Sequence, residues 1–341
     1  MPAAARACDQ VSPIFLVGSP RSGTTLLRVI WNSHPNVIMP HECGFLHELF
    51  HKYAPLPSFS TRDVDRFLDD VFAVKDFNVL NLDRQALRQR FLELKEPAYA
   101  HMLNGIYQEF AARHDKAAGR WGDKHTNFIA HMPKIAALFP NVRFIHIIRD
   151  SRGSVASLLR SRLGRFAFED GSTYYPHLPV GASKLWRKLV AQGRDDGAAM
   201  GPQRYMEIKY EDLVLEPERL CGEMCEFVGE EYDEAMLDPA RHKDATYIPG
   251  HKAGRFHENI GKELLTERMA HWRKELSRQQ LIVIEHLTGE LMDSLGYERD
   301  IQQRRFGESA WLAWTLALDR PAEILRNIWR HFMDLDPHSE R

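Results

Sequence analysis

Residues 14–25 read IFLVGSPRSGTT, an apolar run that passes straight into a turn bounded by Gly18 and Gly23. No other stretch of the chain narrows the fold so far. Four consecutive apolar residues suit a strand buried on both faces of a parallel sheet. From Thr24 to Ser33 the composition turns helical, with Leu26, Leu27, Ile30 and Trp31 as apolar positions. Strand, glycine turn and helix in that order aim backbone N–H groups and the positive end of a helix at one spot, which suits an anion. The glycine spacing matches the phosphate-binding pattern G-x-x-x-x-G-K-[ST], yet Thr24 stands where that pattern has lysine. The donors on offer are instead the Arg21 guanidinium, the Thr24 and Thr25 hydroxyls and the turn's own backbone. Without the lysine, and with no clear acidic strand to hold magnesium, the loop fits one phosphate carrying a transferable group better than a triphosphate.

The rest of the chain supports an α/β reading. HPNVIM suggests a short strand at 36–39, and residues 45–115 read as mostly helical with breaks at APLPS and KEP. VRFIHII at 142–148 is the clearest strand, followed by a helix from about Arg152 to Arg162. RYMEIKY at 204–210 reads as a strand, and EDLVLEPERLCGEMCEFVG as a loop and a helix stopped by Gly229. Ile284, Leu287, Leu291 and Leu295 recur at helical spacing before Gly296. Strands alternating with helices predict a mostly parallel central sheet flanked by helices, with ligands at the carboxyl ends of the strands. Arg149, at the end of one such strand and just before a helix, marks a second anion pocket.

Composition limits the partners. Among 341 residues, 45 basic and 47 acidic side chains leave a formal net charge of −2, so no electrostatic footprint for nucleic acid is present. Cys8, Cys43, Cys221 and Cys225 include no C-x-x-C pair and read as buried free thiols, which predicts no metal site and no oxidising compartment. The first residues, MPAAARACDQVSP, hold no apolar core of a secretory leader, and no run reaches the roughly 18 apolar residues needed to span a bilayer. A cytoplasmic protein is expected.

On these residues the chain resembles the sulfotransferases that use 3′-phosphoadenosine 5′-phosphosulfate (PAPS), most closely the tyrosylprotein sulfotransferases and their bacterial relatives. GSPRSGTTLLR is similar to their 5′-phosphosulfate loop, which implies donor contacts from Arg21, Ser22, Gly23, Thr24, Thr25 and Leu26. RFIHIIRDSRGSVASLL is similar to their 3′-phosphate signature, which implies Arg149 and Ser157 as its ligands. The run through HPNVIMPHE places Glu42 where those enzymes carry the catalytic base. WGDKHTNF places Lys124 at the lysine that touches the transferring sulfuryl group. IKYEDLVLEP places Tyr210 near the adenine, and HKAGRFHENIGK places Lys262 in a late loop over the 3′-phosphate. The resemblance covers about 14–46, 119–162 and 204–297. It departs at Pro40-His41-Glu42-Cys43, where those enzymes read Gly-Glu-Glu-Thr.

The resemblance implies a PAPS-dependent sulfotransferase with PAPS as donor, no required metal, and a hydroxyl-bearing small molecule, lipid or sugar as acceptor. Glu42 is then the general base, and Arg21 and Lys124 steady the transition-state charge. His125 and His41 compete for the role of base. His146, inside its apolar strand, reads as a core residue. Two other functions stay open: a P-loop kinase or triphosphatase, and a non-catalytic nucleotide-binding protein of the same fold. The expected organisation is one α/β domain over 1–300, with a helical insertion at about 43–118. The acceptor pocket is expected from that insertion and from 163–190, where RFAFEDGSTYYPHLP reads as a loop. An amphipathic helical extension over 301–341 would place Ile324, Leu325, Ile328, Trp329 and Phe332 on one face. That face could dock on its own domain, pair in a homodimer, or make peripheral contact with a membrane.

Overall fold

The computed structural model describes residues 8–9, 11–114, 116, 119–161, 164–237 and 269–318. They fall into two compact units, one from 1–150 with 188–270 and the other from 151–187 with 271–341.

The first unit is built on five parallel strands: β1 (Ile14–Val17), β2 (Val37–Ile38), β3 (Arg120–Lys124), β4 (Arg143–Ile148) and, last in the chain, Tyr205–Lys209. Their order is β2-β3-β1-β4 with Tyr205–Lys209 at the far edge, and β1 lies at the centre with Leu16 opposite Lys124 on one side and Ile145 on the other. The expected mostly parallel sheet is present. Its faces follow the alternation of the strands. Ile14, Leu16, Ile145 and Ile147 pack on helix α1 (Thr24–Ser33), through Leu27, Ile30 and Trp31, and on Leu220, Met224 and Val228. Phe15 and Phe144 face the other way, where Phe15 meets Trp121, Phe128 and Phe139 edge-on or stacked.

The insertion after β2 is helical, as expected: α2 (Phe45–Glu48), α3 (Phe50–Tyr53), α4 (Thr61–Ala73), α5 (Arg84–Glu93) and α6 (Tyr99–Arg113). Ser60 caps α4 in a reciprocal box with Asp63, and Asp83 caps α5. Tyr53, Phe59, Phe67, Phe91 and Tyr99 form its aromatic centre. A short α7 (Met132–Leu138) precedes β4.

In the second unit lie α8 (Ser151–Leu159) and a two-stranded antiparallel ribbon, β5 (Phe166–Ala167) with β6 (Thr173–Tyr174), so that Tyr205–Lys209 becomes β7. Helix α9 (Pro179–Met200) runs from the second unit into the first. Only RFAFEDGSTYYPHLP, 165–179, was read as a loop, and α9 follows it, burying Trp186, Leu189 and Val190. After β7 come α10 (Tyr210–Leu215) and α11 (Pro217–Val228), two helices where a loop and one helix were expected, split where Pro217 begins a new first turn. Gly229 ends α11 in the left-handed region at φ 79°, as its place in the sequence suggests. Helices α12 (Trp272–Glu275), α13 (Arg278–Ser294) and a last helix over 308–318, α14, complete the second unit. There Arg152 and Glu285 form a buried ion pair at 2.9 Å, and Glu285 also accepts the Asp300 and Ile301 N–H groups at 2.8 Å. All four cysteines are buried and none forms a disulfide, as the sequence suggested. No described helix is long and apolar enough to cross a membrane.

Candidate active site

The carboxyl ends of the five strands set out the site in spatial order. Glu42 follows β2, Lys124 ends β3, the turn of residues 18–23 follows β1, Arg149 follows β4 and Tyr210 follows β7. Residues scattered over more than 190 positions of sequence thus share one edge of one sheet.

The turn is unusual in its backbone. Arg21 adopts φ 70° and Gly23 φ 107°, both in the left-handed region. For arginine that conformation is costly, and such strain persists where surrounding structure imposes it. Alternation of this kind turns successive N–H groups inward into an anion-binding hollow. Gly23 caps α1 with no side chain, and no acidic residue lies in the first turn, so the Thr24, Thr25 and Leu26 N–H groups lead the helix. A Cβ on Gly23 would stand 2.6 Å from the Tyr210 ring, so glycine is required there twice over. The Ser22 hydroxyl is buried with no hydrogen-bond partner, a donor beneath the hollow.

Two of the expected donor contacts from other strands, Arg149 and Tyr210, meet at this turn. The Arg149 guanidinium lies 4.5 Å above the centre of the Tyr210 ring, and its Nη1 donates to the Arg21 carbonyl at 3.3 Å. Tyr210 in turn covers Gly23. Ser157 is buried in α8 of the second unit, and Lys262 falls outside the described residues.

On the other side of β1, Lys124 Nζ donates to Glu42 Oε2, with the lysine side chain 4% exposed and the carboxylate 30%. The Thr126 N–H and hydroxyl donate to Glu42 Oε1 at 3.2 and 3.4 Å. Burial by itself pushes the Glu42 carboxyl up. The charge of Lys124, then His125, and the hydrogen bonds from Lys124 and Thr126 outweigh it and hold the group at about 2.

At neutral pH His125 and His47, beside this pair, are uncharged. Burial lowers His125 to about 4 and His47 to about 3. The hydrogen-bond network also assigns the His125 tautomer. Its Nδ1 accepts the Asn127 N–H at 3.1 Å, so Nε2 carries the proton, 3.9 Å from Glu42 Oε1. Its basic lone pair is therefore occupied by backbone. His146 is a core residue, as expected: fully buried, with Nδ1 2.6 Å from the Tyr205 hydroxyl.

Several members of the site were not singled out in the sequence. His47, from α2, lies tilted at 4.5 Å from the His125 ring and stacks at 5.8 Å on His131, making a half-buried imidazole wall beside Glu42. Nothing local marks His47, because α2 becomes part of the site only through the tertiary fold. Asp123 lies under Lys124. Burial pushes its carboxyl up to about 7, against hydrogen bonds from the Tyr107 hydroxyl (2.5 Å) and the Lys124 N–H (2.6 Å). An acidic residue beside Lys124 in WGDKH was the available signal. No group of three or more His, Cys, Asp or Glu that could hold a metal ion occurs among the described residues.

With this geometry in place, comparison with known proteins decides the family. Residues 13–234, more than half of the chain, match the model of the sulfotransferase family. The chain belongs to that family. Its relatives include the protein-tyrosine sulfotransferase of Drosophila melanogaster, 25% identical over 76% of this chain and 46% of that protein. Protein-tyrosine sulfotransferase 2 of Gallus gallus is 24% identical over 84% of this chain and 69% of its own length. The chain thus spans about half the length of the fly relative. Among solved structures, the sulfotransferase domain from the curacin biosynthetic pathway superposes with a TM-score of 0.60 at 22% identity, covering 85% of this chain and 99% of that domain. The sulfotransferase domain of the Synechococcus PCC 7002 olefin synthase gives 0.54 at 22% identity, covering 86% and 98%. Both share the sulfotransferase fold with this chain. Family membership displaces the triphosphatase reading, in line with Thr24 at the lysine position.

Proposed function

We propose that this sulfotransferase-family chain transfers a sulfuryl group from PAPS to a hydroxyl-bearing acceptor. The observation that carries the reading is the order Glu42, Lys124, turn 18–23, Arg149, Tyr210 along one sheet edge. The donor's anionic groups fit the residues present: a strained hollow of N–H groups at a helix start, a buried partnerless Ser22 hydroxyl, and a guanidinium on an aromatic ring. When bound, PAPS supplies the sulfuryl group on an activated phosphate leaving group.

The chain's own residues do the rest. Residues Arg21 to Leu26 bind the 5′-phosphosulfate, Arg149 binds the 3′-phosphate, and the Tyr210 ring lies beside the base. Glu42 takes the acceptor's O–H proton as the new O–S bond forms and the S–O bond to the phosphate breaks. Lys124 serves two partners in turn. Paired with Glu42, it keeps the carboxylate at about 2, too weak to act as a base. Turned toward the sulfuryl oxygens, it steadies their charge and leaves Glu42 to the effect of burial, which raises its basicity. His125, its lone pair held by the Asn127 N–H, orients the wall and takes no proton. The acceptor approaches over His47, His125 and His131. The names of the relatives favour a phenolic hydroxyl, and the apolar faces of the imidazoles suit a ring or a small-molecule, lipid or sugar alcohol as well. A cytoplasmic setting, which four buried cysteines outside any disulfide suit, belongs to the same proposal.

Calorimetric titration with 3′-phosphoadenosine 5′-phosphate, beside ATP with magnesium, tests the donor. Micromolar binding of the former alone is expected, weakened about tenfold or more by Arg149→Ala. A preference for magnesium–ATP would remove the reading. Turnover is then assayed with phenols, a tyrosyl peptide, alcohols and sugars. Glu42→Gln is expected to bind the nucleotide and lose transfer. Tight nucleotide binding without transfer to any hydroxyl in the native protein would instead make it a non-catalytic binder.

A further inference from the structure

The last described helix, α14, has apolar side chains on every face, and the described core packs on one face. Its sequence is ESAWLAWTLAL. Leu312, Trp311 and Leu316 pack on Val180, Ile282 and Val283 of the second unit's core. The opposite face presents Ala310, Ala313, Trp314, Ala317 and Leu318 to water, with Phe306 exposed just before the helix. Trp314 is 63% exposed. Thr315, the last hydroxyl in the helix, donates inward to the Trp311 carbonyl at 2.9 Å. A helix that is apolar all round belongs in a core or against an apolar surface.

We propose that this face of α14 docks on an anionic lipid surface. Charge beside it supports that occupant over another protein. Arg304 and Arg305 are exposed next to Phe306, and Arg304 Nη2 lies 3.1 Å from the ring of His286, a partner that does not cancel its charge. The nearby carboxylate of Glu308 is already held by Arg278 at 2.8 Å. Aromatic side chains rimmed by arginine are the composition of a helix lying in a membrane interface. The amphipathic face expected from Ile324, Leu325, Ile328, Trp329 and Phe332 lies outside the described residues. A second copy is the poorer fit. A stable interface takes about 800 Å² per partner, and three of the five helical residues on this face are alanines.

Flotation of the full chain with vesicles of phosphatidylcholine, with or without phosphatidylglycerol, tests the surface independently of any activity. Binding to the anionic vesicles is expected, weaker at high salt because the arginine contribution is screened. Trp314→Ser combined with Leu318→Ser is expected to reduce partitioning by about tenfold or more. Phe306→Ser, outside the helix, should also reduce it. Thermal unfolding of both variants should match the parent, since these side chains are exposed. Failure to bind either vesicle would overturn the proposal, and so would unchanged binding by the variants. Light scattering on a non-binding protein then identifies the occupant: a dimer mass points to a second copy, and a monomer mass to the chain's own residues 319–341.

Discussion

Replacing Lys124 by methionine probes the ion pair at the centre of the site. Glu42 is held at about 2 against an ordinary 4.5, beside a lysine 4% exposed, while its own side chain is 30% exposed. A carboxylate with a depressed folded-state pKa adds stability above its unfolded pKa and loses it as the pH falls toward the folded value. For Glu42 that window runs from pH 4.5 down to about 2. At 1.36 kcal/mol per unit the depression converts to roughly 3 kcal/mol at neutral pH. Solvent reaching the exposed part of the carboxylate reduces this to about 1–2 kcal/mol. By pH 3.5 about two-fifths of it is gone. The assay is a double-mutant cycle of Lys124→Met and Glu42→Gln, read from urea unfolding at pH 7 and pH 3.5. The expected coupling is about 1–2 kcal/mol at pH 7, falling by roughly two-fifths at pH 3.5. A coupling below about 0.3 kcal/mol at pH 7, or one that does not change with pH, would refute the electrostatic account of the pair.

Three further outcomes are expected. Gly23→Ala brings a Cβ within 2.6 Å of the Tyr210 ring at a φ of 107°, and should cost about 1–3 kcal/mol and abolish nucleotide binding; a variant that binds normally in calorimetry would show that the turn tolerates a side chain. Glu285→Ala removes the carboxylate that pairs with the buried Arg152 guanidinium and accepts two backbone N–H groups, and should lower stability by about 3–5 kcal/mol in denaturant unfolding. Below 1 kcal/mol, the buried network would have to be better solvated than its geometry implies. His125→Asn should leave transfer within about tenfold of the parent, because its lone pair serves the Asn127 N–H. Loss of transfer comparable with that of Glu42→Gln would move the base to His125.

Local pattern alone specifies much of this protein. The run Ile14–Val17, the glycines at 18 and 23 and the apolar helix after them specify the central strand and its anion turn, because strand burial and left-handed backbone are properties of a few adjacent residues. Arg149 is legible for the same reason, since it directly follows a strand, whereas Tyr210 was read as the end of one and its place near the nucleotide came from the family resemblance. Tertiary structure decided the remainder. RWGDK has a single large apolar residue and does not announce itself as a strand, yet as β3 it pairs with β2 and β1 and brings Lys124 beside Leu16. Only that pairing buries Asp123 and sets Lys124 against Glu42, so the pKa shifts of both carboxylates come from neighbours more than 80 residues away or from burial itself. His47 joins the site because α2 packs near the end of β3, a contact with no trace in either segment. Hydrogen bonding within a few residues can be read from composition. Desolvation and charge pairing across the fold depend on which strands lie side by side, and that order follows from packing the whole sheet.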